Sequence, residues 1–428
     1  MAPSFNSSHS SNNSRQSPAS QSQTTFSSTS SDVASIHTFG PREKSPCKVL
    51  IVGAGVGGLM LALCLERAGI DYIILERTQQ LPVPKSTIQL GPNTLRAIEQ
   101  LGLLDEVMQV AKPVSTLTLM KHNMTVTGRM DCLFTKERYG HYSCIVQRSE
   151  FLRILISHLP QGKVLWGKYV LEIVNGDAGV QVRCSNGYIE EADIIIGADG
   201  AYSAVRQNIY RTMKTKNLLP KSDEEPLKHT LNAIIGVTQP LDRSRFPAAY
   251  EQFSEITVVV GKDPLYSLWL SPIVNNRVIW FVSGELLKPA EGENTNFKQS
   301  EFGPEAVDAF PPFSGQGAEQ AIMDAIYLAN HLYRLDENPV HEDYVKIFES
   351  YQRRRSPLVK SADQMTHSMT HLMNSQGFSA DVKRKLMFAL PDWVKNVGVD
   401  KMQVRPLLDY LAPVDDKGKK SVISSNAM

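Results

Sequence analysis

The sequence predicts an α/β fold, with an antiparallel sheet in its second half and helices towards the C-terminus. Three observations support this prediction. The stretch KVLIVGAGVGGLMLALCLERAGIDYIILER, residues 48–77, has the pattern of strand, glycine-rich turn, helix and strand. Apolar and alternating runs follow at residues 230–285. Residues 340–373 have helical periodicity, and the 428 residues suffice for about two or three domains.

Composition excludes several classes of protein. The net charge of +1 gives no electrostatic reason to expect nucleic acid or an anionic membrane as a partner. The basic run Arg353–Arg355 is expected at the solvated end of a helix. No terminal apolar span is present, so no membrane anchor is predicted. His367 and His371 have metal-ligand spacing but no third ligand nearby, so no metal site is predicted.

The cysteines and the N-terminal segment indicate in which cellular compartment the protein is expected. The five cysteines are odd in number and include no CxxC pair, which favours a reducing compartment. Residues 1–45 are polar and Ser-rich, so we expect this segment to be a disordered tail. It has no apolar core of the signal-peptide type, and Arg15 as its sole arginine before Arg42 disfavours a transit peptide.

The glycine-rich turn Gly53-Ala-Gly55-Val-Gly-Gly58 matches the pattern G-x-G-x-x-G. The first glycine permits a tight turn, the second lets a pyrophosphate approach the backbone, and the third lets the helix pack close to the strand. Phosphates then bind at the helix N-terminus, where free N–H groups and the helix dipole favour negative charge. Glu76 ends the next strand, where a carboxylate accepts hydrogen bonds from ribose hydroxyls. This segment is predicted to bind the ADP half of FAD or NAD.

The residues after Glu76 favour FAD. NAD dehydrogenases usually continue with further strand–helix repeats, whereas this chain has a Pro-punctuated loop and one amphipathic helix from about Asn93. Further on, GADGAYSAVR predicts a buried strand that ends at Asp199-Gly200 before another helix. The Asp199 carboxylate can reach a ribityl or ribose hydroxyl, and Gly200 allows close backbone approach. Gly315-Gln-Gly317-Ala318 predicts a small-residue turn whose amides face a flavin ring.

With these motifs, the chain resembles the group A FAD-dependent monooxygenases, which have the p-hydroxybenzoate hydroxylase fold. The resemblance lies in the Gly53–Gly58 turn with Glu76, in Gln147-Arg148, in GADGAYSAVR and in PPFSGQGAEQAIMDA. Within this family the chain is similar to fungal enzymes that epoxidise prenyl chains of meroterpenoids and indole diterpenes. LGPNTLRAIEQLGL, residues 90–103, and residues 390–413 carry that similarity.

The resemblance implies a set of cofactor contacts and a reaction. The implied FAD contacts are Gly53, Gly55, Gly58, Glu76, Gln89, Arg148, Asp199, Gly200, Gly317 and Ala318. It also implies NADPH as reductant, O2 as co-substrate, and a lipophilic prenylated intermediate that is epoxidised or hydroxylated. No catalytic residue is named, because the cofactor carries this chemistry. The expected location is the cytoplasm, with peripheral contact to membranes that hold the substrate as an option.

Two positions depart from the family pattern. The family's G-D motif falls on Pro304 and Glu305, and the polar stretch 293–303 before it is not expected to form a buried strand. We therefore infer that a block of sequence is missing there. Leu231 stands where close relatives are expected to have an active-site tyrosine. An inactive FAD-binding homologue and an FAD oxidoreductase without oxygen insertion stay as alternatives.

The sequence divides into five predicted segments. They are the tail 1–45, the first part of the FAD-binding domain with inserted substrate-side elements at 46–228, a truncated substrate-domain sheet at 229–300, the second part of the FAD-binding domain with helices at 301–375, and a C-terminal segment with a polar tail at 376–428. In the sheet, most of Tyr266, Trp269, Trp280 and Phe281 are expected in packed core rather than in a substrate pocket.

Overall fold

A computed structural model describes residues 45–83, 86–176, 179–200, 203–224, 228–262, 266–291, 316–374, 378–391, 399–400 and 403–420. Predictions for the tail 1–44, for Pro304 and Glu305, and for Gly315 lie outside the described residues.

The strands and helices of the described residues have the following bounds. In chain order the strands are β1 Lys48–Val52, β2 Asp71–Glu76, β3 Thr87–Leu90, β4 Ala111–Lys121, β5 Val126–Asp131, β6 Cys144–Gln147, β7 Val164–Trp166, β8 Val170–Gly176, β9 Gly179–Cys184, β10 Ile189–Ala192, β11 Ile194–Gly197, β12 Lys228–Val237, β13 Ser254–Val260, β14 Tyr266–Ile273 and β15 Arg277–Glu291. The helices are α1 Val56–Ala68, α2 Pro92–Gln100, α3 Leu104–Val110, α4 Phe134–Tyr139, α5 Arg148–Ser157, α6 Ala204–Thr215, α7 Lys221–Glu224, α8 Gln316–Tyr333, α9 His341–Asn374 and α10 Phe378–Ala389.

A parallel sheet of strand order β11-β1-β2-β7 forms the Rossmann-like part of the fold. Its central strand β1 is apolar on both faces because both faces are covered. Val49 and Ile51 pack in the main core with helices α1 and α8. Leu50 and Val52 face the three-stranded sheet β10-β9-β8 and helix α6, against Val205. The α/β prediction is confirmed. Packing on both faces of the sheet holds in place the edge at which the parallel strands β1 and β11 end.

A second, larger sheet has the order β12-β15-β14-β13-β4-β6-β3, with β5 paired to β4. Its pairings are antiparallel except that of β13 with β4. The predicted antiparallel sheet of residues 230–285 is therefore joined to strands from the first 150 residues. Trp269 is buried in its core and stacks on Phe281, with ring centroids 5.2 Å apart. Leu231 lies on β12 and pairs with Glu285.

Two predictions about helices need correction. The amphipathic helix expected from Asn93 is two helices, α2 and α3, because Gly102 between them adopts a left-handed conformation with φ of +78°. The run Arg353–Arg355 lies within α9 rather than at its end, and Arg355 is only 2% exposed. Its Nε donates to Asp324 Oδ1 of α8 at 2.6 Å, so it links two helices.

The C-terminal segment, residues 403–420, packs back onto the first half of the chain. Tyr410 donates its hydroxyl to the carbonyl of Cys64 on α1 at 2.7 Å. Arg405 is 1% exposed and donates to the carbonyl of Tyr139 at 2.8 Å. The polar residues Lys419 and Lys420 donate backbone N–H groups to the carbonyls of residues 137 and 138. Among the described helices, none is both long and apolar enough to cross a bilayer.

Candidate functional site

The site begins at the turn after β1. Gly53 has φ of +105°, and a Cβ there would lie 2.7 Å from the carbonyl oxygen of Ala198. The backbone of β1 and the end of β11 therefore meet without space for a side chain. Gly53 also donates its N–H to the carbonyl of Leu75 at 2.8 Å, which joins the turn to β2. The tight turn predicted for the first glycine is present.

The other two glycines of the G-x-G-x-x-G pattern, Gly55 and Gly58, have different surroundings. A Cβ on Gly58 would overlap the carbonyl oxygen of Gly53, so helix α1 packs directly on the turn. A Cβ on Gly55 would meet nothing closer than 3.9 Å, with Ala198 and the Arg148 guanidinium as its neighbours. Gly55 is the N-cap of α1 and supplies no side-chain cap. The first turn of α1 therefore has no side-chain cap and lies beside the Arg148 guanidinium, as suits an anion-binding helix end.

Glu76 holds the turn from the β2 side. Its Oε2 accepts a hydrogen bond from the N–H of Ala54 at 2.7 Å, and its Oε1 accepts from the N–H and hydroxyl of Thr78 at 2.9 and 3.0 Å. The residue is 8% exposed. A carboxylate has about four acceptor positions, two on each oxygen, so Oε2, which accepts one hydrogen bond, retains capacity for a ribose hydroxyl. The ribose contact stays a prediction.

Arg148 supplies a partly buried cation beside the turn. It is the first residue of α5, and its Nη2 lies 3.9 Å from where a Gly55 Cβ would stand. Its Nε is buried and has no hydrogen-bond partner within the part of the chain that the structure describes. Burial lowers the pKa of the guanidinium, although arginine stays charged at neutral pH. A buried N–H group without a partner costs free energy, and a diphosphate oxygen that accepted its hydrogen bond would remove that cost.

Asp199 stands on the other side of β1, after β11. Its Oδ2 accepts hydrogen bonds from the N–H groups of Ala204 and Val205 at 2.6 and 3.4 Å and so caps α6. Its Oδ1 is buried, with no partner among the described residues. Gly200 follows with φ of +84° and open space where a Cβ would stand. An acceptor oxygen and an open backbone therefore adjoin the turn, as a polyol chain needs.

The remaining predicted residues reach the site through secondary structure. Gln89 lies in β3, paired with Ile145 of β6, the strand that leads into Arg148. Gly317 and Ala318 lie in the first turn of α8. No atom of the described residues lies within 4 Å of where a Gly317 Cβ would stand, and Ala318 packs against the main core. Direct contacts thus bring together the turn, Glu76, Arg148 and Asp199, whereas Gln89, Gly317 and Ala318 join them through the sheet and α8.

The sequence analysis missed a buried carboxylate, Glu319, which follows Ala318. It is 6% exposed, and it accepts hydrogen bonds from the N–H of Gly91 and, at 3.5 Å, from Asn93. Spacing alone did not indicate it, because an acid in the first turn of a helix is ordinarily solvated. Within the described residues, no group of three or more His, Cys, Asp and Glu side chains is placed to hold a metal ion.

Comparison with known proteins agrees with this geometry. The profile of the FAD-binding domain family matches residues 46–225. The chain carries an FAD-binding domain. Its turn, its orphaned Arg148 and Asp199 atoms and its open glycines fit that cofactor. The resemblance to FAD-dependent monooxygenases, predicted from the motifs, is confirmed by the fungal relatives below, and the fold by the solved structures.

The relatives are fungal proteins of modest identity. The FAD-dependent monooxygenase janM of Penicillium janthinellum is 28% identical over 331 residues, covering 69% of this chain and 69% of the relative. The FAD-dependent monooxygenase esdpE of Penicillium shearii is 26% identical, covering 76% and 78%. The FAD-dependent monooxygenase pyr5 of Aspergillus fumigatus is 29% identical, and the chain spans 54% of its length.

Solved structures share the fold. HpxO of Klebsiella pneumoniae, complexed with FAD and uric acid, has a TM-score of 0.66 at 19% identity, covering 84% of this chain and 97% of that one. A salicylate hydroxylase substrate complex has a TM-score of 0.61 at 19% identity, covering 85% and 99%. At these identities the comparison establishes the fold alone.

Proposed function

We propose that the chain is an FAD-dependent monooxygenase of fungal secondary metabolism. In this proposal it epoxidises or hydroxylates a lipophilic prenylated intermediate of meroterpenoid or indole-diterpene type in the cytoplasm. NADPH is the reductant and O2 the co-substrate. The names of the relatives support the reaction class, and the motifs of residues 90–103 and 390–413 support the substrate class.

One observation carries the cofactor part of the proposal. Two buried polar atoms without partners in the described chain, Arg148 Nε and Asp199 Oδ1, adjoin the same glycine turn from different elements. Native proteins rarely leave such atoms unpaired. A donor beside the helix N-terminus suits a diphosphate, and an acceptor beside β11 suits a sugar or ribityl hydroxyl. Glu76 suits the ribose at the opposite edge of the turn.

The protein's own residues bind and orient the cofactor in this proposal. When bound, FAD would supply the redox chemistry: NADPH would provide two electrons, one atom of O2 would enter the substrate, and the other would leave as water. Helix α1 and Arg148 neutralise the diphosphate, Asp199 accepts from the ribityl chain, and the first turn of α8 with Gly317 offers backbone donors. The apolar sheet around Trp269 excludes water from that side of the fold.

A pair of substitutions on helix α5 tests the cofactor site. Arg148→Met removes the partly buried cation with its unpartnered Nε, while Arg153→Met removes a half-exposed arginine that pairs with Glu150 on the same helix. We expect Arg148→Met to weaken FAD binding about tenfold or more, because a charged hydrogen-bond donor beside the diphosphate is lost. Arg153→Met should change it by less than about twofold. Fluorescence titration measures both, and equal affinities in the two variants would reject the proposed site.

The reaction is tested with the FAD-loaded wild type. A prenylated indole or aromatic terpenoid should stimulate NADPH oxidation, and mass spectrometry should find an oxygen atom from labelled dioxygen in the product. FAD binding without stimulation by any such compound would favour the inactive homologue. An oxidised product without the label would favour an oxidoreductase that does not insert oxygen.

A further inference from the structure

The carboxylate of Glu319 joins two distant segments of the chain. It lies in the first turn of α8 and is 6% exposed. One oxygen accepts a hydrogen bond from the N–H of Gly91, and the other lies 3.5 Å from Nδ2 of Asn93. Gly91 and Glu319 are 228 residues apart in sequence. The contact therefore links the start of α2 to the start of α8.

The surroundings of Glu319 are built for a carboxylate. Gly91 is the N-cap of α2, so the carboxylate lies at the N-terminal ends of two helices, and both helix dipoles favour its negative charge. A Cβ on Gly91 would stand 2.6 Å from Oε1 of Glu319 and 2.8 Å from Oδ1 of Asn93. The carboxylate thus occupies the space that a larger residue at position 91 would need.

Both linked segments carry predicted cofactor contacts. Gln89 lies two residues before Gly91 on β3, and Gly317 and Ala318 directly precede Glu319. We propose that Glu319 is a positioning residue that holds these two segments in register around the flavin half of the cofactor. This inference rests on the proposed function. The adenosine half is held elsewhere, by the Gly53–Gly58 turn and Glu76.

The difference between the two halves gives a selective test. ADP occupies only the adenosine half, whereas FAD needs both. We expect Glu319→Ala to weaken FAD binding about tenfold or more, because two hydrogen bonds to a buried carboxylate are lost. ADP affinity should change by less than about twofold. Glu319→Gln keeps an acceptor for Gly91 and should recover most of the FAD affinity. Glu66→Ala on α1 removes another hydrogen-bonded helical glutamate, partnered by Tyr72, and is the control.

A second substitution probes the same contact from the other side. Gly91→Ala should displace the carboxylate and weaken FAD binding selectively. The double variant Gly91→Ala with Glu319→Ala should bind FAD no more weakly than Glu319→Ala alone, because both act on one interaction.

Isothermal titration of each variant with FAD and with ADP decides the matter. If Glu319→Ala weakens both ligands equally, the residue is merely structural, and the inference is wrong. Unchanged FAD affinity in Glu319→Ala would also overturn it. Failure of the wild type to bind FAD while binding ADP would instead reject the proposed function.

Discussion

At the scale of single residues, two glycines of the same turn meet different requirements: Gly58 allows close packing of the fold, and Gly55 allows close approach of a ligand. Gly58 is demanded by the fold, because a Cβ at this position would overlap the carbonyl oxygen of Gly53. Gly55 is not demanded by any close neighbour in the described chain, since a Cβ there would meet nothing closer than 3.9 Å. Its glycine is therefore explained by a ligand that approaches the backbone.

We predict that Gly55→Ala and Gly58→Ala fail in different ways. Gly55→Ala should keep the free energy of unfolding of the apoprotein within about 1 kcal/mol of wild type, and should weaken FAD binding about tenfold or more, because its methyl group blocks the diphosphate. Gly58→Ala should lower the free energy of unfolding by about 1–3 kcal/mol or more through overpacking. Urea unfolding and FAD titration measure the two effects. Equal loss of stability in both variants would contradict this account of Gly55.

At the scale of elements, helices α8 and α9 are joined by buried polar contacts rather than by apolar packing alone. Arg355 of α9 donates to Asp324 and Gln320 of α8 at 2.6 and 2.7 Å. His331 of α8 is 3% exposed. Its Nδ1 forms a hydrogen bond with the carbonyl oxygen of Tyr327 at 2.7 Å, and its Nε2 forms one with the hydroxyl of Ser350 on α9 at 3.1 Å. These contacts set how α9 lies on the helix that begins at the candidate flavin end.

The His331 contact predicts that stability declines in mild acid. Burial lowers the pKa of His331 from its ordinary value of 6.5. Below about pH 6.5 the unfolded chain binds a proton that the folded chain resists, so the free energy of unfolding falls as pH drops, by at most about 1.4 kcal/mol per pH unit for this group. His331→Gln should flatten that decline between about pH 7 and pH 5.

Urea unfolding at several pH values measures this slope. Burial also lowers the pKa of His141, so part of the decline should persist in the variant. His367→Gln, at a histidine whose side chain is 70% exposed, is the control substitution. A slope in His331→Gln as steep as in wild type would assign the acid sensitivity to other groups.

At the scale of the whole molecule, the C-terminal segment completes the core of the first half. Leu408 and Tyr410 are each 1% exposed and belong to the same apolar cluster as α1 and α2. Gln100 of α2 accepts from the N–H of Leu408 at 2.8 Å. The FAD-binding region therefore depends on residues far beyond its matched boundary at residue 225.

We predict that deletion of residues 403–428 destabilises the FAD-binding region itself. Each large apolar side chain removed from the core costs about 1.5–3 kcal/mol, so the unfolding midpoint should fall by about 10 °C or more. Lys419→Ala removes only an exposed ion pair with Glu137 and should leave the midpoint within about 2 °C. Calorimetry of the apoproteins measures both. A truncated chain with an unchanged midpoint would show that this region folds without its C-terminal cover.

Local signals explain which parts of the fold and site the sequence could predict. The turn, α1, Glu76 and the Asp199 strand end lie within short segments whose periodicity and glycines indicate the backbone path. Arg355, Glu319 and the C-terminal segment have partners 31 to 346 residues away. Their burial depends on tertiary packing, which a polar residue in a helical pattern does not reveal. For the same reason the sequence pattern does not indicate that Arg355 is buried within α9.

The position of Tyr410 over α1 also bears on how the protein is made. Helix α1 is complete once residue 68 has been translated. The hydrogen bond from the Tyr410 hydroxyl to its Cys64 carbonyl can form only after residue 410 has emerged. At ordinary translation rates the nascent chain carries this apolar surface uncovered for roughly half a minute. Synthesis of this protein should therefore place a demand on ribosome-associated chaperones.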